Sequence, residues 1–269
     1  MSMGVNKILD KPYNDFVIIG NGAVGNFLHS LLGDSFRLLT RHDELLISDR
    51  ALIIIATKAY DLENILTKLN HDGSLDIILI QNGYLENVIS SYKFNFFRLL
   101  IDFGIEKKKD VFTVHGSGSF YTNHHGIYQL LHQKASIQYS YDISCMLWKK
   151  LMTNAVINPI TALYNIHNKD VHLYNALIEG IIEEGLLIAN HRIPDPLTYN
   201  TLHDYVACVI EKTGNNRSSM LQDIEQKRKT EIEFINGALV RLGKVYGISM
   251  PTNSLLYNQI KKIEESYLC

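Results

Sequence analysis

Short apolar runs alternate with helix-like stretches through the first third of the chain. Residues 16–19, Phe-Val-Ile-Ile, end against a glycine, and an unbroken apolar run of that length marks a strand covered on both faces. A helical stretch follows at 26–32, then an apolar run at 36–40, another at 52–56, a helical pattern at 61–69 and a further run at 77–80. Strands separated by helices imply a parallel α/β sheet. One interval breaks the rhythm. Only residues 42–50 lie between the second run and the third, whereas a parallel crossover normally needs about a dozen residues or more. An edge strand or its crossover helix is therefore expected to be missing or minimal.

From about residue 142 the pattern turns helical. Residues 148–164, WKKLMTNAVINPITALY, are apolar nearly all round, as in a helix buried on most sides. The exception is a row: Lys150, Asn154 and Asn158 stack at i, i+4 and i+8, and Thr161 continues them. Asn is a poor helix former that a solvated face has no reason to choose. The row thus reads either as a hydrogen-bonding site or as a structural polar seam between helices. Pro159 has no N–H for the Ala155 carbonyl, so the helix should kink or end early there and leave that acceptor for another partner. Between residues 215 and 245, Ile224, Ile235, Leu239 and Leu242 share one stripe, with Glu231 near its centre on a helical wheel. A carboxylate on a buried face must be paired with a lysine, be held by Arg228, or line a wet cleft. Ser219 stands three residues before Gln222, a capping-box spacing that explains the serine without any ligand.

The expected organisation is an α/β dinucleotide-binding domain over residues 1–142, followed by an all-α domain over residues 143–269. The cofactor signal is Gly20-Asn21-Gly22-Ala23-Val24-Gly25, a G-x-G-x-x-G after a strand and at the opening of a helix. The first glycine permits the tight turn, the second lets a pyrophosphate approach the backbone, and the third allows close helix packing. Free N–H groups and the helix dipole then favour phosphate. Arg41 follows the second apolar run, where the adenosine ribose is read. An arginine there suits the 2'-phosphate of NADP, while Asp43 and Glu44 keep NAD open, and a solvated strand end is the plainer alternative. Lys58 and Asn82 sit just past apolar runs, where open parallel sheets place ligand-binding groups, although either could be an ordinary loop residue.

Composition narrows the classes. Across 269 residues, 46% are apolar and 20% charged, enough to bury a substantial core. Twenty-six Lys and Arg against 28 Asp and Glu leave a formal charge of -2, which advertises neither a nucleic-acid nor a membrane surface. Cys145, Cys208 and Cys269 are scattered and form no CxxC pair, so a reducing cytoplasm is expected, with neither a disulfide framework nor a metal site. Residues 1–16 lack the apolar core of a signal peptide, and no run approaches membrane-spanning length. His124-His125 reads as a wet loop.

Five motifs in order, GNGAVG, TKAYDLE, QNG, WKKLMTNAVINPITALY and SSMLQDIEQKRKTEIEFINGALV, resemble those of the ketopantoate reductase (2-dehydropantoate 2-reductase) family over nearly the whole chain. The resemblance implies a Rossmann-type NADPH domain, an all-helical C-terminal domain of 6-phosphogluconate-dehydrogenase type, and an active site between them. It implies reduction of 2-dehydropantoate to pantoate, on the route to pantothenate and coenzyme A, by a monomer or homodimer. Lys150 then corresponds to the catalytic lysine and Glu231 to the active-site glutamate. Asn154, Asn158 and Asn168 resemble the amides that orient the lysine or hold substrate, and Ser219 the serine that contacts the substrate. Gly20, Asn21, Gly22, Ala23, Val24 and Gly25 form the cofactor turn, Arg41 resembles the 2'-phosphate reader, and Lys58 and Asn82 match residues near the nucleotide and nicotinamide. The short 42–50 segment departs from the family pattern and bears on NADPH against NADH. Two other readings remain: the same fold reducing another small 2-keto acid, and a non-catalytic NADP(H)-binding sensor.

Overall fold

The computed structural model describes residues 13–69, 74–108, 111–115 and 118–268. The reading of residues 1–12 lies outside them. The chain forms two compact units, one of the residues up to Gln81 with Leu85–Ile143, the other of Asn82–Tyr84 with the residues from Ser144 onward.

In the first unit, strands β1 (Asp15–Ile19), β2 (Arg37–Leu39), β3 (Arg50–Ile55), β4 (Ser74–Leu79) and β5 (Asn95–Ile101) pair in parallel in the order β2-β1-β3-β4-β5. β6 (Gly104–Lys108) and β7 (Val111–His115) form a separate antiparallel hairpin. β8 (Phe120–Thr122) adds antiparallel to β5, and β9 (Ile137–Tyr139) parallel to β8, which completes a seven-stranded sheet. Helices α1 (Ala23–Leu32), α2 (Leu62–Lys68), α3 (Glu86–Ile89) and α4 (His125–Leu131) connect them. Strand register aligns Leu38, Ile18, Ile54, Ile78 and Phe97 in one row across five strands. Ile18, Ile54 and Ile78 are fully buried. Each contributes about 1.5–3 kcal/mol, which is why the apolar runs outweigh every local alternative.

β2 is the outer edge of the sheet, and residues 40–49 reach β3 without helix or strand. The minimal crossover that the spacing predicted is thus present. Arg37 secures it by pairing with Asp15 at 2.5 Å and donating to the Leu46 carbonyl at 2.9 Å.

The wet loop expected at His124 is wrong. His124 is 6% exposed, and its Nδ1 accepts the Ile127 N–H at 3.1 Å, capping α4. Its Nε2 lies 3.6 Å from Asp76, which also takes the Tyr13 hydroxyl at 2.5 Å and the Asn95 amide at 2.8 Å. The Tyr13 hydroxyl oxygen lies 3.4 Å from the same Nε2, so both ring nitrogens have partners, brought there by tertiary packing. His125, beside it, is exposed.

The second unit is helical: α5 (Ser144–Tyr164), a 3-10 turn Asn168–Tyr174, α6 (Asn175–Ala189), α7 (Tyr199–Lys212), α8 (Ser219–Glu225), a 3-10 turn Ile232–Phe234, α9 (Asn236–Tyr246) and α10 (Pro251–Glu265). α5 does not end at Pro159 but continues to Tyr164. An interior proline costs about 3 kcal/mol. Val156 and Ile160 on either side of it are fully buried, at about 1.5–3 kcal/mol each, so packing carries the helix through.

The continuous helical stripe expected over 215–245 is also corrected. The chain leaves the helix after Glu225, and Lys227 takes a left-handed φ of 52°. Side chains claim the backbone amides: Thr230 N–H donates to Glu264 at 2.6 Å and Ile232 N–H to the Thr230 hydroxyl at 3.2 Å. Among the described residues no helix is long and apolar enough to cross a membrane.

Burial first, then the hydrogen bond and charge of Asp76, raise the Tyr13 hydroxyl above its ordinary value near 10. The unfolded state therefore loses this proton first, so the stability Tyr13 provides is intact below about pH 10 and falls as pH rises further. Melting temperature followed from pH 9 to 11 should drop more steeply for the native protein than for Tyr13→Phe.

Candidate functional site

In the first unit the glycine turn joins β1 to α1. Gly20 has a φ of 114°, and a Cβ there would sit 2.8 Å from the Ala56 backbone. A Cβ on Gly25 would lie 1.8 Å from the Gly20 carbonyl oxygen, so the third glycine is dictated by helix-to-turn packing. Gly22 differs: a Cβ there meets nothing within 4 Å, so the space above it is open. Gly22 is also the N-cap of α1, with no side-chain cap. The first-turn amides of a helix have no internal acceptor. Asn26 donates its side-chain amide to the carbonyls of Asn21 and Gly22, which occupies two acceptors of the loop. An open cradle of backbone donors at an uncapped helix start fits a dinucleotide pyrophosphate.

Arg41 is exposed on the turn that follows β2. Asp43 shapes that turn, its carboxylate taking the Thr40 N–H at 2.6 Å. That bond holds the Asp43 carboxyl below its ordinary range and commits it to the backbone. Lys58, half-buried, precedes the short 3-10 turn Ala59–Asp61 just past β3.

In the second unit the polar row of α5 separates into two kinds of residue. The Thr161 hydroxyl bonds back to the Ile157 carbonyl at 2.7 Å and pairs with the Ser218 hydroxyl at 2.6 Å, so it belongs to the structural seam. Asn154 does not, because its Nδ2 is buried with no hydrogen-bond partner. Asn158 is 6% exposed and Lys150 is half-buried. Asn168 donates to the Thr213 hydroxyl at 2.9 Å, while its Oδ1 is buried without a partner. A buried donor and a buried acceptor left unspent each cost roughly 1–3 kcal/mol, which suits a ligand that brings both kinds of group.

The capping assignment for Ser219 is overturned by one residue. Ser218 is the N-cap of α8, its hydroxyl accepting the Leu221 N–H at 3.1 Å, and the Gln222 amide goes to the Arg217 carbonyl at 2.9 Å. Ser219 is exposed on the first turn of α8, a helix that packs against α5.

Glu231 lies off any helix, at the start of the 3-10 turn Ile232–Phe234, so the wheel that located it was wrong in its premise. It is nevertheless buried at 6% exposure, and its Oε2 accepts the Asn82 side-chain amide at 3.3 Å. Arg228 pairs with Asp223 at 2.8 Å instead. The Asn82–Tyr84 segment is fastened to this turn. Tyr84 N–H donates to the Phe234 carbonyl at 2.8 Å, and the Tyr84 ring packs on Trp148 with centroids 5.9 Å apart.

The C-terminal region, residues 142–264, matches the family model described as ketopantoate reductase PanE/ApbA C terminal. A 2-dehydropantoate 2-reductase of Yersinia pestis is 31% identical over 252 residues, 88% of this chain and 82% of that protein. The chain belongs to the ketopantoate reductase family. A Shigella flexneri 2-dehydropantoate 2-reductase is 40% identical over 126 residues, which span 47% of this chain and 41% of that one. Among solved structures, a dimeric ketopantoate reductase of Staphylococcus aureus superposes with a TM-score of 0.77 at 22% identity, covering 94% of this chain and 99% of that chain. A D-mandelate dehydrogenase with NADH superposes at 0.79 with 19% identity and the same coverage. At those identities the likeness establishes the ketopantoate reductase fold alone.

Sequence reasoning missed three groups in this family member. Asn26 gave no signal beyond a polar residue four after Gly22. Asn236, Asn253 and Glu184 form a buried chain of hydrogen bonds that ends on Ala155, and the carbonyl freed by Pro159 was its sole signal. Gly83 was passed over inside QNG. It has a φ of 93°, and a Cβ there would sit 2.5 Å from the Phe234 carbonyl oxygen. Gly83→Ala should therefore destabilise the protein by about 1–3 kcal/mol in urea unfolding. An unchanged midpoint and slope would show that this glycine is dispensable.

Proposed function

We propose that this chain reduces a small 2-keto acid with NADPH, specifically 2-dehydropantoate to pantoate, as a cytoplasmic enzyme. The free thiols of Cys145 and Cys208 suit a reducing compartment. Residues 1–142 serve as the dinucleotide-binding domain and residues 143–269 as the substrate and catalytic domain. The observation that carries the reading is the α5 row, in which a half-buried lysine leads two carboxamides, one with an unspent buried donor. A keto acid supplies the oxygen acceptors that Asn154 lacks, and the hydroxyl of 2-dehydropantoate supplies the donor that the Asn168 Oδ1 lacks.

When bound, the reduced nicotinamide supplies hydride to the ketone carbon. The backbone of residues 20–25 holds the pyrophosphate, Arg41 pairs with the 2'-phosphate, and Lys58 and Asn82 border the nucleotide and nicotinamide. Lys150 holds a proton at Nζ, hydrogen-bonds the ketone oxygen, and delivers that proton as the oxygen becomes alkoxide. Asn154, Asn158 and Asn168 orient the amine and the substrate, and the Ser219 hydroxyl contacts the carboxylate and hydroxyl end. Glu231, oriented by Asn82, is the acidic partner of the site.

General acid catalysis typically contributes about 10²- to 10⁴-fold. Lys150→Ala should lose at least about a hundredfold in kcat with NADPH affinity retained, followed by nicotinamide absorbance with 2-dehydropantoate and a panel of 2-keto acids. A fully active variant removes Lys150 from this role. NADPH binding without consumption across the whole panel would favour a sensor. Arg41→Ala should raise the KM for NADPH much more than for NADH, and equal effects would mean that the 2'-phosphate is read elsewhere.

A further inference from the structure

We propose that Asn236 is a positioning residue for this reaction: it gives the Ala155 carbonyl the hydrogen bond that Pro159 denies it, and so fixes the turn of α5 that carries Asn154 and Asn158. The proposal rests on the reading of that row as the substrate site.

In an α-helix the Ala155 carbonyl would accept from the N–H of residue 159, and proline has none. The missing rung falls between the two carboxamides of the row. Asn236 Nδ2 fills it from the first residue of α9, donating to the Ala155 carbonyl at 3.1 Å. The orientation of that amide is not arbitrary. The same Nδ2 donates to Asn253 Oδ1 at 3.0 Å, and Asn253 must present oxygen there because its own Nδ2 donates to Glu184 Oε2 at 2.8 Å. A carboxylate only accepts, so Glu184 sets the direction of the whole chain. Glu184 is fixed in turn by the N–H groups of Thr252 at 2.7 Å and Asn253 at 3.0 Å, in the first turn of α10.

All three polar side chains are buried, Asn236 and Asn253 completely and Glu184 to 8% exposure. The arrangement leaves Asn236 Oδ1 buried without a partner. Turning the amide over would satisfy that oxygen no better and would strip the Ala155 carbonyl of its donor. The network therefore spends both Asn236 N–H bonds on holding α5 and Asn253. Without them, the turn from Ala155 to Pro159 lacks its one side-chain substitute for a helical rung, and Asn154 and Asn158 lose their fixed angle relative to Lys150.

The decisive test uses the proline itself. Asn236→Ala should lower kcat by roughly ten- to a hundredfold, the scale of a small misplacement of reacting groups, with the KM for NADPH unchanged. Adding Pro159→Ala gives residue 159 an N–H, restores the rung from within the helix, and should recover most of the lost kcat. A lowered melting temperature with native kcat would overturn the proposal, as would a double variant no faster than the single one. Should Asn236→Ala fail to fold, Asn253→Ala, which frees the Asn236 amide to rotate, is judged by the same rescue. A native enzyme that turns over no 2-keto acid would defeat the activity reading alone. In that case hydrogen exchange of residues 156–158 decides the matter, since Asn236→Ala must speed it locally and Pro159→Ala must slow it again.

Discussion

A backbone carbonyl inside a helix buried on most sides needs a donor, and the Ala155 carbonyl beneath Pro159 is where the helical unit meets that demand from outside. Leaving it unpaired costs about 1–3 kcal/mol. Asn236 supplies the donor, Asn253 orients Asn236, and Glu184 orients Asn253. Four helices, α5, α6, α9 and α10, thus converge on one acceptor. The proline that weakens α5 as a helix thus ties its packing to those neighbours.

Around that point the buried polar groups fall into two classes by whether their bonds are complete. Thr161 with Ser218, Asp223 with Arg228, and Asp76 with Tyr13, Asn95 and His124 are closed sets within the fold. Asn154 Nδ2, Asn168 Oδ1 and Asn236 Oδ1 are open. Closed sets stabilise and specify a conformation; open ones carry a cost that binding can recover. The same distinction separates the glycines of the nucleotide turn. Gly20 and Gly25 are required by contacts already made, while a Cβ on Gly22 would meet nothing within 4 Å.

Much of this architecture was legible beforehand. The strands at β1, β3 and β4, the glycine turn, the short crossover after β2 and the long buried helix follow from period and spacing, because full burial of Ile, Leu and Val outweighs local competition. Glu231 shows the limit of that method. Its burial and its need for a partner were read correctly, yet the helical wheel that located it described a segment that is not helical. The stretch from residue 84 to 142, with its hairpin and two late strands, gave no pattern strong enough to read. Its strands are short, and their partners are distant in sequence.

By itself, the sequence determined which segments are apolar on which face, where glycine is obligatory, and that Ala155 would lack its usual donor, since these depend only on local geometry and on which atoms each residue owns. Tertiary structure alone decided who would satisfy the groups left over: Asn236 for Ala155, Asn82 for Glu231, and Tyr13 for His124. Hydrogen-bond partners are chosen by proximity in space. Residues separated by dozens of positions come within reach only when the packing of apolar faces has brought their elements together.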